Sequence, residues 1–68
     1  MKTLKCIFED GPRATVVPFS GVANPKTGGP FSGIAVHGSE GSIIGFYQLQ
    51  NPEGPEPYRY VFEAKDDD

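Results

Sequence analysis

The stretch from Phe31 to Gln50, FSGIAVHGSEGSIIGFYQLQ, decides the fold. Two runs rich in β-branched and aromatic residues, about Phe31 to His37 and Ser42 to Gln50, flank Gly38-Ser39-Glu40-Gly41. Short runs of this kind bounded by turn residues read as strands, and a glycine-containing connection of this length reads as a hairpin loop. The second run carries Ile43, Ile44, Phe46, Tyr47 and Leu49. It is apolar on both faces, which predicts the central strand of a sheet. Gly33 and Gly45 interrupt the two strands. Interior glycine marks a bulge or a sharp bend, as at the corner of a small barrel.

Working outward, the pattern repeats. From Tyr58 to Ala64, Tyr58, Tyr60 and Phe62 fall on one face, with Arg59 and Glu63 on the other and Val61 as the exception. From Thr3 to Glu9, Leu4, Cys6 and Phe8 alternate with Thr3, Lys5 and Glu9, although Ile7 breaks the alternation. Leu4, Ile7 and Phe8 also fit helical spacing; the strand is preferred because the run is short and ends at Asp10-Gly11, a hairpin signal complicated by Pro12. A further strand is expected over Arg13 to Phe19, at an edge or ending at Pro18. The fold class is therefore mostly β. It is expected to be a small five-stranded antiparallel meander, forming a curled sheet or an open barrel of SH3-like or OB-like size. The expected core is Leu4, Phe8, Val16, Ile34 and Val36, together with Ile43, Phe46, Leu49, Tyr60 and Phe62; Cys6 reads as a small buried residue.

The chain has 68 residues, which suits one domain over 1–64 with an acidic, disordered tail over 65–68. A domain this small buries only about 60% of the surface its unfolded chain exposes. One cysteine excludes an intrachain disulfide, and one histidine prevents completion of a Cys/His zinc site. Association remains, as a homodimer or with a partner protein. The formal net charge of −3 disfavours sequence-independent nucleic-acid binding. No segment reaches the apolar length of a membrane span, and the N-terminus has no apolar region of the secretory kind. A lone cysteine fits a reducing, cytoplasmic setting.

Two loops exceed what a hairpin needs, Ser20 to Pro30 and Asn51 to Pro57. Such loops are where small domains place binding residues. They supply the expected partner-binding residues Asn24, Lys26, Thr27, Glu53, Glu56 and Tyr58. Lys26-Thr27-Gly28-Gly29 has the glycines of an anion nest, without a complete P-loop and without a following helix. Pro52 and Pro55 have PxxP spacing, but Gly54 and the acidic neighbours weaken a polyproline reading. Tyr58, Arg59 and Tyr60 with Phe46 and Tyr47 offer the aromatic and cationic groups of a single-strand binder, yet their period of two assigns them mainly to a core. Cys6 and His37 are the only nucleophile and base of their kinds, and nothing in their spacing brings them together. Asp66 to Asp68 lack the turn glycine of a calcium loop. The sequence therefore implies no enzyme, no metal and no cofactor. It reads as a protein-interaction module, such as an acidic inhibitor or accessory subunit of a larger enzyme. The alternatives are a small-molecule domain for an anion or nucleotide, and a single-stranded nucleic-acid binder of OB type.

Overall fold

The computed structural model describes residues 2–65. Five strands form: β1 (Thr3–Phe8), β2 (Phe19–Val22), β3 (Gly33–His37), β4 (Ile43–Leu49) and β5 (Tyr58–Ala64). They make one sheet in the order β2-β1-β5-β4-β3, curled into a half-barrel, with no helix among the described residues. The quoted stretch forms a hairpin as its residues dictate: Gly41 has φ +85°, and Gly38 N donates to Ser42 O at 2.8 Å.

The expected curled β sheet is what forms, but one pairing departs from an antiparallel meander. β1 and β5 run parallel, with Cys6 opposite Tyr58 and Phe8 opposite Tyr60. The other three pairings are antiparallel. The reason lies in the apolar faces. Leu4, Cys6 and Phe8 match Tyr58, Tyr60 and Phe62 in period and burial, so the chain closes its N-terminal hairpin onto the last strand. β5, not β4, becomes the middle strand, and β2 and β3 are left as the two edges.

The strand expected over 13–19 is a correction. Pairing there shrinks to one residue: Thr15 N donates to Phe8 O at 2.9 Å, and Thr15 Oγ1 accepts from Phe8 N at 3.1 Å. Val16, Val17 and Pro18 then bulge into solvent, and regular pairing resumes at Phe19. Pro18 has no amide to offer a ladder, which is why the strand starts after it. The core corrects with it. Val16 is 96% exposed and Phe46 is 40% exposed on the convex face, whereas Tyr47 is fully buried. At the far end Lys65 N donates to Ile44 O at 2.9 Å, so the ladder runs one residue past Ala64. The rest of the expected tail, Asp66 to Asp68, lies outside the described residues.

The concave face holds the core, built on Cys6, Val36, Tyr47 and Tyr60. Phe8 is its aromatic hub: it stacks on Tyr47 with centroids 4.2 Å apart and meets Phe19 and Tyr60 edge-on at 5.1 and 5.5 Å. Gly45 lies under the ring of Phe62, where a Cβ would collide with it. Glycine at this strand position is explained by that close approach, and the register of the hairpin shifts beside it: Val36 pairs with Gly45 and His37 with Ile43, which leaves Ile44 as the extra residue. No helix among the described residues is long and apolar enough to cross a membrane.

Candidate functional site

Two buried tyrosines fix the ends of the half-barrel. Tyr47 Oη donates to Asp10 O at 2.7 Å and accepts from Arg13 N at 2.9 Å, which holds the β1–β2 connection over one end. Asp10 also accepts from Phe62 N through Oδ1 at 2.7 Å. Tyr60 Oη donates to Phe31 O at 2.7 Å and so holds the segment that crosses from β2 to β3. Between these pins the concave face stays open along the gap separating β2 from β3. There it forms an apolar groove of about 380 Å³, with Leu4, Cys6 and Phe8 on its floor, Phe19 on one wall and Phe31 and Ile34 on the other. This volume is within the usual range of ligand sites, about 300–1,000 Å³.

The polar groups of the groove are already engaged or uncharged. Tyr60 Oη is committed to Phe31 O. Its pKa is pushed up to about 12, first by burial and then by Cys6 and Tyr58. Burial also raises the Cys6 thiol, with the Glu56 carboxylate adding to the effect, so the thiol is protonated near neutrality. What the groove offers an occupant is therefore carbon surface, plus the backbone of its two rims. The hydrogen bond from Ala23 N to Lys2 O, at 3.0 Å, sets the phase of the β1–β2 ladder. In an antiparallel pair the bonded positions alternate, so Gly21 and Phe19 face β1 while Ser20 and Val22 direct their backbone groups away from it. On β3, the bond from Leu49 N to Ser32 O at 3.1 Å sets the phase in the same way and leaves Gly33 and Ala35 facing outward.

The residues expected from sequence lie elsewhere, in two separate loops. Asn24 organises the first. Its Oδ1 accepts from Lys26 N at 3.0 Å, its carbonyl accepts from Thr27 N and Gly28 N, and its amide donates to Gly29 O. Thr27 Oγ1 accepts from Gly29 N at 3.2 Å. The amides of Lys26, Thr27, Gly28 and Gly29 are thus all engaged within the loop, the opposite of what an anion nest needs. In the second loop Asn51 is the clasp: its Nδ2 donates to Pro55 O and Pro57 O, and its Oδ1 accepts from Arg59 N at 2.7 Å. Gly54 N donates to Asn51 O at 2.9 Å, so the PxxP segment is a turn and not an extended helix. Glu53 is exposed. Glu56 Oε2 accepts from Lys5 N at 2.7 Å, extending the β1–β5 seam where β5 has not yet begun. Tyr58 packs against the core.

No hydrogen bond or ion pair joins the two loops among the described residues. Cys6 and His37 are not brought together either: β1 and β3 have β5 and β4 between them in the sheet, and His37 is exposed at its edge. The groove went unread because Ser20 to Pro30 passes for one loop. Phe19-Ser20-Gly21-Val22 carries no alternation that would mark a strand, because its two apolar residues, Phe19 and Val22, fall on opposite faces. Comparison with family models, with curated proteins and with solved structures finds no match.

Proposed function

We propose that the chain is a non-enzymatic protein-interaction module whose binding surface is the groove between β2 and β3. The observation that carries this reading is an apolar groove of about 380 Å³ bordered by two sheet edges with outward-facing backbone groups. Apolar side chains of a partner gain by leaving water there, at about 25 cal/mol per Å² of apolar area buried. The groove, not the two long loops, is the contact surface in this reading, because Glu56 and Asn24 already hold the chain's own backbone. An accessory or inhibitory role toward a larger enzyme is one form such a module takes.

The test is selection of a random peptide library against the folded chain, followed by amide-shift mapping of the winners. Shifts centred on Cys6, Phe19, Ile34 and Tyr60, abolished by Ile34→Asp in a chain that keeps its β spectrum, support the reading. Winners that map to the convex face, or that bind Ile34→Asp unchanged, refute it.

A further inference from the structure

We propose that the groove is filled by an extended apolar segment of another protein, which adds antiparallel to β2 as a sixth strand and carries acidic residues at its N-terminal end. This inference rests on the interaction-module reading and specifies its partner. The extent of the groove selects β2 over β3. Phe19, Gly21 and Val22 line it along nearly the whole of β2, whose ladder is regular from Thr3↔Val22 to Cys6↔Phe19, whereas β3 contributes only Gly33 and Ile34 at its start. The sense of direction follows from the pairings. β2 opposes β1, β1 follows β5, and β3 again runs with β5, so β2 and β3 run in opposite senses across the gap. An inserted strand is antiparallel to one rim and parallel to the other, and the stronger antiparallel pairing falls to the rim that lines the groove along its length.

Side chains alternate along such a strand, so every second one drops onto Leu4, Phe19 and Ile34 while the others face out. Backbone bonds to Ser20 and Val22 give affinity independent of sequence, and the groove selects the apolar positions.

Charge sets the end. Lys2 pairs with Ala23, just past β2, and Lys26 lies in the loop that follows. Lys2 also lines a second depression that shares Val22 with the main groove. The ion pair found among the described residues is Arg59 with Glu9, so neither lysine is matched there, whereas Lys5, whose Nζ donates to Ser20 Oγ at 3.4 Å, has the Glu56 carboxylate on its own backbone amide. Lys2 and Lys26 both sit at the C-terminal end of β2, which an antiparallel partner meets with its N-terminal residues. The net charge of −3 acts on an acidic partner through a screened field. At physiological salt the Debye length is about 8 Å, so lysines beside the incoming end count for more than charges beyond that range.

The probe is an acetylated peptide with two glutamates followed by alternating valine and threonine, read by fluorescence anisotropy and amide shifts on the intact chain. Binding is expected with shifts at Ser20 and Val22. N-methylation of the peptide amides that face β2 should weaken it roughly tenfold, the loss of backbone hydrogen bonds. Exchanging the glutamates for lysines should weaken it roughly fivefold, the scale of two exposed ion pairs. The Lys2→Glu, Lys26→Glu double variant, on exposed positions and expected to fold, should reverse that preference. Groove binding that ignores both N-methylation and charge overturns the added strand yet leaves the module reading intact. Shifts at Cys6 and Ile34 from decanol, with none from the peptide or from library-selected peptides, overturn both.

Discussion

The Tyr60 hydroxyl donates to the carbonyl of Phe31 at 2.7 Å, tying the middle strand of the sheet to the segment that walls the groove. Tyr60 is 1% exposed, so this phenol has no access to water as an alternative partner. Removing it with Tyr60→Phe leaves the Phe31 carbonyl without its donor at little cost in volume. Such a loss costs about 1–2 kcal/mol. Urea denaturation should show a lower midpoint with an unchanged slope. An unchanged midpoint would mean that Phe31 is not held by this bond.

The same phenol predicts a loss of stability in alkali. Its pKa is raised in the folded chain from an ordinary 10.0 to about 12. The folded state therefore binds more protons than the unfolded state across that window, and stability falls as pH rises through it. Below pH 10 the contribution is complete. By pH 12 it is lost, a change on the order of 2 kcal/mol. Denaturation midpoints from pH 8 to 12 should fall in the wild type and fall less in Tyr60→Phe. Parallel curves for the two would remove Tyr60 as the cause.

Composition and turn residues revealed four of the five strands, and alternation marked the buried face of β1 and β5. The run from Tyr58 to Ala64 is found with the bounds the sequence implies. Two properties were not local and so were not legible. The parallel seam of β1 with β5 is a long-range pairing between the chain's ends, and no turn signal announces it. The side on which an apolar residue lands in β4 depends on register. Phe46 and Tyr47 are neighbours of similar size, yet Tyr47 falls on the concave face and Phe46 on the convex one. The groove was hidden for the same reason, since its walls come from both edges of a sheet whose strand order was unknown.

Gly45 tests the packing of that register. A Cβ there would meet the Phe62 ring and, at 2.7 Å, the Glu63 carbonyl. Backbone yields little, so Gly45→Ala should cost about 1–3 kcal/mol, as overpacking does. Gly29→Ala, where the nearest atom is 3.8 Å from the added carbon, should change stability by less than about 0.5 kcal/mol. Thermal melts of the pair check this, and equal midpoints would contradict the placement of Phe62 over Gly45.

Asn51 tests whether the second loop is built or merely irregular. Its side chain makes three bonds to the backbone, to Pro55, Pro57 and Arg59. Asn51→Ala should cost about 2 kcal/mol, since net side-chain bonds are worth near 1 kcal/mol each and the released carbonyls recover water. Amide exchange should quicken at Arg59 and Gln50 before it does at Tyr47. A uniform loss of protection would place the clasp in the global core instead.

Cys6 reports on the groove from its floor. The thiolate is the species that alkylates, and burial raises the thiol's pKa, with the Glu56 carboxylate adding to it. Iodoacetamide at pH 8 should therefore modify the native chain far more slowly than the chain in denaturant, with a rate profile displaced to higher pH. Access and ionisation separate on a second variant. Phe31, half exposed on the wall, shields the floor by bulk, so Phe31→Ala should speed modification while leaving the inflection of the profile in place. If Phe31→Ala leaves the rate unchanged, the thiol is reached by local opening of the sheet and not through the groove.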